Sequence, residues 1–295
     1  MLSVTIERVE TLEFPLSEAS NYYLVRIGDL EIAVDAGAKS EFARPPSSGW
    51  VLVTHWHWDH VMGLAGSRGL NVCMSKRTYN IIIKYYKSYF TEILRAMGLE
   101  DDREALTVAD IFNARYETVA EALERSHNVH FLEETCNIVE KLGIKTIECP
   151  GHSRDHVCYI IGDELFSGDT ILPNTRPTII DFREYRQSIL KVLLEKWSNI
   201  RPGHGGQIRR EEAFNPLLRS TIERCNRSYI ILSRVAKKGR VTLDSLLREV
   251  YGVEPSIASF VQARTLVGYL TELEKSGVIK IDKRESPWII KLRKE

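Results

Sequence analysis

The sequence predicts an α+β protein built in two units, and three observations predict it. Runs rich in β-branched and aromatic residues, split by Gly-Asp turns, fill the first sixty residues and recur between 138 and 169. Between them, residues 76–126 switch to three- and four-residue apolar spacing, the mark of amphipathic helices. From 207 onward helix-type segments lead into one last pair of strands, and the charge changes sign. Residues 207–295 carry 18 Lys+Arg against 11 Asp+Glu, and the preceding residues 22 against 29. The 295 residues, 43% hydrophobic and 27% charged, suffice for a real core and exclude a disordered chain, a collagen-like repeat and a coiled-coil rod. With 40 basic and 40 acidic residues there is no global pull toward nucleic acid or membrane.

The elements follow in order. Val4, Ile6 and Val9 lead into Leu12 to Phe14 as a first strand. Tyr22 to Ile27 and Leu30 to Asp35 flank Gly28-Asp29 as a hairpin. After Pro45-Pro46-Ser47-Ser48-Gly49, Trp50 to Thr54 is a buried-type strand that runs straight into His55. Tyr79, Ile82, Ile83, Tyr86, Phe90, Ile93, Leu94 and Met97 mark a helix that Gly98 stops, and a second helix is predicted from about Val108 to Arg125. Strands resume at Ile138-Val139-Glu140 and again from Ile144 to Cys149, and Tyr159 to Ile161 pairs with Leu165-Phe166 around Gly162-Asp163. In the tail, Asn215-Pro216 starts a helix reaching about Lys238. Thr242 or Asp244 caps a second that ends near Gly252, and a third follows Pro255 and stops at Gly277. Val278 to Ile281 and Trp288 to Leu292 close a hairpin. Three helices and then a hairpin is the order of a winged helix. The predicted division is therefore a unit over 1–206, with a helical insert at about 76–126, and a winged-helix-like unit over 207–295.

Met1 to Phe14 carries Glu7, Arg8 and Glu10 inside its apolar pattern, which is not the uninterrupted apolar stretch of a signal peptide. No apolar run approaches the ~20 residues that span a bilayer. Cys73, Cys136, Cys149, Cys158 and Cys225 form no CxxC pair and are odd in number, so reduced, mostly buried thiols and a cytoplasmic location without membrane contact are expected.

Residues 55–60 read His55-Trp56-His57-Trp58-Asp59-His60, directly after an apolar strand. Strand alternation sends His55 and His57 to one side, where they could share a metal, while Asp59 and His60 lie on the following turn, within reach of a second. His152 in Cys149-Pro150-Gly151-His152, Asp169 in Ser167-Gly168-Asp169-Thr170 and His204 in Pro202-Gly203-His204-Gly205 repeat the setting: a ligand-type residue after a strand and beside glycine. A lone strand-end His is usually a satisfied polar residue, but seven ligand types in such loops are hard to explain as packing. His127 and His130, in a polar stretch, are read as ordinary surface histidines.

This set, His55-x-His57-x-Asp59-His60 followed by His152, Asp169 and His204, resembles the metallo-β-lactamase superfamily. From His152 to Thr170, including His156 and Cys158-Tyr159, the chain is most similar to the glyoxalase II branch. The tail resembles that of lactamase-β-like hydrolases with a C-terminal winged helix, some of which cleave single-stranded RNA. The resemblance implies an αββα sandwich with the site at one edge of two facing sheets. It implies one metal on His55, His57 and His152, another on Asp59, His60 and His204, and Asp169 bridging them. Asp59 and Asp169 are thereby the carboxylates with a catalytic part. The cofactors implied are two divalent metal ions; imidazole-rich ligation suits Zn²⁺, and the ligand types also admit Fe or Mn. Two cations sharing a water keep hydroxide present near neutral pH for attack on a carbonyl or phosphoryl centre. Asp35 in Val34-Asp35-Ala36-Gly37 resembles a strand-end Asp that orients a ligand His, and reads equally well as a turn residue.

Substrate is less legible. Tyr79, Tyr86, Tyr89 and Phe90 fit either core packing or a lid, and Lys76, Arg77, Lys84 and Lys87 either a solvated face or an anion site. Residues 171–177 lack the glycine- and cysteine-bearing loop of true glyoxalase II, and the tail shows no glutathione clamp. The leading expectation is a hydrolase of a small-molecule ester, thioester or lactone. A metal-dependent endoribonuclease is the alternative that the tail's charge and its wing basics Lys280, Lys283, Arg284, Lys291, Arg293 and Lys294 favour. A winged-helix binding module with a vestigial metal site is another, although only Arg264 and Lys275 stand on the third helix as outward basics for groove reading. The expected partner is a small-molecule substrate, with RNA and a second copy in a homodimer as the others considered.

Overall fold

The computed structural model describes residues 4–12, 19–173 and 177–293. Phe14, the 174–176 part of the loop after Asp169, and Lys294 lie outside the described residues.

Two sheets form the centre. The first runs β1 (Val4–Thr11), β2 (Ser20–Ile27), β3 (Leu30–Val34), β4 (Trp50–Leu52), β5 (Asn71–Met74) and β6 (Asn128–Phe131) in spatial order. The second runs β11 (Ile208–Arg209), β10 (Asn199–Pro202), β9 (Glu164–Gly168), β8 (Val157–Ile161) and β7 (Lys145–Glu148). The two-residue alternation of strands assigns side chains to layers. Tyr23, Val25, Leu52, Val157, Tyr159 and Ile161 meet between the sheets. Their neighbours Tyr22, Leu24, Val51 and Val53 face the other way and pack under α3 (Tyr86–Met97) and α4 (Arg103–Arg125), which follow α2 (Lys76–Asn80) and a π-helical turn at Ile81–Tyr85. Cys158, Ile160 and Leu165 pack under α6 (Phe182–Leu194) through Val192. The layers are therefore helix, sheet, sheet, helix, and the ends of β4, β9 and β10 open at one rim. Both predicted Gly-Asp hairpins form, with Gly28 and Gly162 at positive φ in their turns.

Two expectations need correction, and one helix lies outside them. Ile138-Val139-Glu140 is not a strand but the middle of the one-turn helix α5 (Asn137–Lys141). Ile138 is buried between the sheets there, so packing overrides β-branched propensity in a five-residue element. The helix α6 was not foreseen. Nor are the cysteines all reduced: Cys73 on β5 and Cys136 before α5 form a disulfide, with Cα atoms 5.7 Å apart across 63 residues of sequence. This removes the cysteine count as an argument for a reducing compartment. Cys149 and Cys158 are buried and free, and Cys225 is exposed and free. Among the described residues no helix is long and apolar enough to cross a membrane.

The C-terminal segment comprises α7 (Phe214–Lys238), β12 (Arg240–Thr242), α8 (Leu243–Leu246), α9 (Phe260–Lys275), β13 (Ile279–Asp282) and β14 (Ile289–Leu292), the strands ordered β12-β14-β13. Its core is not its own. Ile93, Ala96 and Met97 of α3 are buried in one cluster with Val235, Leu246, Leu266 and Trp288. The insert is thus clamped between the first sheet and the tail, which brings α9 over the open rim.

Candidate metal centre

Every predicted ligand residue arrives at that rim. His55 and His57 follow β4, Asp59 and His60 lie on the one-turn helix α1 (Trp58–Val61), His152 precedes β8, and Asp169 and His204 follow β9 and β10. Two groups form: His55, His57, His152 and Asp169 in one, Asp59, His60 and His204 in the other. In the first, His57 Nδ1 lies 2.8 Å from both His55 Nε2 and His152 Nε2, and Asp169 Oδ2 lies 3.3 Å from His152 Nε2 and 3.9 Å from His55 Nε2. In the second, His204 Nε2 lies 3.3 Å from Asp59 Oδ2, and Asp169 Oδ1 lies 3.4 Å from His60 Nε2 and 3.5 Å from His204 Nε2. Tetrahedral ligands at ordinary Zn–N distances are separated by about 3.3 Å, which these spacings bracket. Asp169 turns one oxygen to each group.

Orphaned atoms test the fit. His60 Nε2 and Asp169 Oδ1 are buried without a hydrogen-bond partner, a cost that a cation between them would remove. A Cβ on Gly203 would come within 2.3 Å of Asp169 Oδ1 and 2.7 Å of His60 Cε1, so the ligands close down on a position only glycine can hold. Two metal-binding groups of this composition fit a dinuclear site.

The rings are aimed from behind. His60 Nδ1 donates to Asp35 Oδ2 at 2.8 Å, His152 Nδ1 to Thr178 O at 2.7 Å and His204 Nδ1 to Ala19 O at 2.9 Å. His55 Nδ1 lies 2.9 Å from Thr54 Oγ1, which itself donates to Asp35 Oδ2. Each contact places the proton on Nδ1 and leaves the Nε2 lone pair toward the metal position. Asp35, at φ 63°, also accepts from Thr54 N, so one carboxylate sets two ligand-bearing segments. His156, flagged only by resemblance, is a brace: its Nε2 accepts from Asp169 N at 3.1 Å and its ring stacks on His55. Asp155 went unnoticed. It accepts from Trp56 N and Thr78 Oγ1 and so ties the His55–His57 loop to the insert; its place one residue before His156 was the available signal.

The two groups differ electrostatically. Burial, reinforced by neighbouring imidazoles, holds His55 well below the usual imidazole range; burial and then Arg264 do the same to His57. Burial brings His152 down to about 3. Burial also disfavours charge on His60 and His204, but the carboxylates win: Asp169, Asp35 and Asp59 push His60 up to about 10, and Asp169 and Asp59 push His204 up to about 12. One group presents neutral imidazoles; in the other, protons neutralise carboxylates.

A cavity of about 380 Å³ opens over both groups. Its walls include Tyr89 and Phe90 of α3, Phe112 and Tyr116 of α4, and Phe260 of α9. The aromatic stripe of the insert therefore divides: Tyr89 and Phe90 line the cavity, while Tyr86 stacks on Tyr116 in the core and Tyr79 packs on Phe131. Lys76, Arg77, Lys84 and Lys87 do not border the cavity; Lys76 pairs with Glu134 and Lys87 with Glu117. Arg264 is not an outward basic. It borders the cavity, with Nη1 3.1 Å from His57 Nε2, while Lys275 is tied to Asp181 at 2.6 Å. His127 hydrogen-bonds Leu64 O and His130 lies against Trp50, both away from the cavity.

Residues 17–206 match the model of the metallo-beta-lactamase superfamily. A Drosophila melanogaster relative, beta-lactamase-like protein 2 homolog, is 24% identical over 90% of this chain and 86% of its own length. An Aspergillus fumigatus relative, atrochrysone carboxyl ACP thioesterase, is 24% identical over 65% of this chain, which spans 52% of that protein. In fold, the chain is similar to a metallo-beta-lactamase family protein from Thermus thermophilus, with a TM-score of 0.69 at 16% identity and 98% of each chain covered.

Proposed function

The chain belongs to the metallo-β-lactamase superfamily and is a metal-dependent hydrolase, and from that premise we propose that it cleaves a small ester, thioester or lactone at a two-metal centre. The observation that carries the proposal is the division of Asp169 between two ligand groups at the floor of an aromatic-walled cavity. His55 Nε2, His57 Nδ1 and His152 Nε2 would hold one metal and Asp59, His60 Nε2 and His204 Nε2 the other, with Asp169 shared; the imidazole-rich set suits zinc. When bound, the metals supply Lewis acidity and bring the pKa of water near neutrality.

The chain's own residues do the rest. Asp35 and Thr54 fix the tautomers of His60 and His55, so no reorientation is needed during reaction. Burial would raise the Asp59 carboxyl, but His60 and His204 hold it below its usual range, so it stays an anion at the floor. The aromatic walls exclude water from the scissile carbonyl and take up an apolar substrate body. A thioesterase among the relatives supports the thioester member of this class. The tail supports a winged-helix unit over 207–295 whose third helix serves the cavity rather than a nucleic acid.

Elemental analysis of unchelated protein should return two metals per chain; one per chain, with Asp59 or His204 uninvolved, overturns the two-metal assignment. Metal-loaded protein should turn over a thioester or lactone with little dependence on salt. Cleavage of single-stranded RNA that survives repurification, disappears in Asp169→Ala and falls steeply with salt would overturn the small-molecule assignment.

A further inference from the structure

His57 gives Nδ1 to the first ligand group. A neutral imidazole carries one N–H, and the nitrogen that lends its lone pair to a metal leaves the proton on the other. In the metal-loaded protein His57 Nε2 is therefore a donor. The atom facing it at 3.1 Å is Arg264 Nη1, and a guanidinium has donors only. Two donors meet with no acceptor between them.

Arg264 is otherwise underused. Its Nε is buried without a partner, and no carboxylate among the described residues pairs with its guanidinium. It stands one turn beyond Phe260 on α9, at the border of the cavity shared with Tyr89 and Tyr116. A cation planted in an aromatic wall without a counterion is poorly compensated unless an anion completes it.

We propose that Arg264 and the His57 Nε2–H form a clamp for a carboxylate on the substrate, set apart from the scissile carbonyl, whose two oxygens accept from the two donors. This deepens the hydrolase assignment, since it narrows the class to substrates with an apolar body and a free carboxylate. It makes Arg264 a specificity-determining residue. The planar fork of arginine suits a carboxylate, and the desolvating walls strengthen such charge-assisted bonds.

The test is calorimetric binding of 4-phenylbutyrate and its amide, 4-phenylbutyramide, to the zinc-loaded full chain. The parent should bind the carboxylate at least about tenfold more tightly than the amide. Arg264→Gln should bring the ratio below about threefold, and Arg264→Lys, which keeps the charge without the fork, should retain part of it. With paired thioesters ending in a carboxylate or its methyl ester, Arg264→Gln should raise KM for the first about tenfold and for the second less than threefold. A ratio unchanged in a correctly folded Arg264→Gln protein, or no preference in the parent, overturns the clamp, because the metals alone would then account for anion binding. Absence of any ester, thioester or lactone turnover with the preference intact would sink the hydrolase substrate class and leave the clamp standing.

Discussion

The floor and the roof of the cavity are built on different plans. The floor consists of residues at strand ends, and three of its rings are fixed by a backbone or carboxylate acceptor: Thr178 O for His152, Ala19 O for His204, Asp35 for His60. The roof is assembled from two segments far apart in sequence, the consecutive helices α3 and α4 and the distant α9, with Phe90 stacked on Phe112 and on Phe260 at about 5 Å. Floor rings are aimed by directed hydrogen bonds, one of them from His204 back to Ala19, and roof residues are held by apolar packing. The difference separates reaction from selection: floor substitutions should act on metal and turnover, roof substitutions on which substrate is held.

The sharpest break of this division is Asp169→Ala. It should lower kcat/KM by about a thousandfold or more, some 4 kcal/mol of transition-state stabilisation, while the far-UV spectrum stays that of the parent. Activity within tenfold in a fully metallated variant would deny the floor its role. Asp35→Asn keeps a residue type that tolerates the observed positive φ but weakens the acceptor behind His60. Metal affinity measured by chelator competition should fall about tenfold to a hundredfold, and an unchanged affinity would show that Asp35 only packs. Phe260→Ala tests the roof. KM for a substrate with a long apolar body should rise about tenfold, with a small acetyl thioester affected less than threefold; equal effects on both would merge roof and floor.

The smallest effect concerns how the roof is tied down. Lys275 of α9 donates to Asp181, which caps α6 through Glu184 N. Burial pushes the Asp181 carboxyl up, but Lys275 and that cap together hold it below its usual value. A carboxyl with a depressed folded pKa stabilises the fold above its unfolded pKa of about 3.9, and the contribution fades as pH falls through the folded value. Urea unfolding of Lys275→Met should therefore show a loss of at most about 1 kcal/mol at pH 7, because the lysine is largely solvent-screened. The difference should shrink as the pH falls through the depressed folded pKa of Asp181 and vanish at the pH where that carboxyl is protonated. A loss that persists at that pH would assign Lys275 a packing role.

The same contrast explains how much could be read from the sequence. The seven ligand-type residues were legible because His55, His57, Asp59 and His60 are neighbours and the other three each follow a strand beside glycine. Continuous β-branched and aromatic runs on either side of a Gly-Asp turn likewise made β2, β3, β8 and β9 readable. Arg264 was misread because its direction depends on how α9 lies on α3, although its four-residue spacing from Phe260 marks a shared face. The helix α6 did carry signals: Asp181 with Glu184 three residues on, and Phe182, Tyr185, Ile189 and Val192 at helical spacing. The pairing of Cys73 with Cys136 had none, since spacing alone does not determine connectivity.

That disulfide has a consequence for the molecule under force or protease. The whole aromatic insert lies between Cys73 and Cys136, so α3 and α4 ride on a covalently closed ring whose base is riveted to the first sheet. A cut anywhere inside the ring liberates no fragment until the rivet is reduced. Tension applied at the chain ends passes through the sulfur bridge and leaves roughly 220 Å of contour length slack. The part of the roof that α3 and α4 supply is thereby one that a pull on the chain cannot unreel, whereas α9 lies outside the ring.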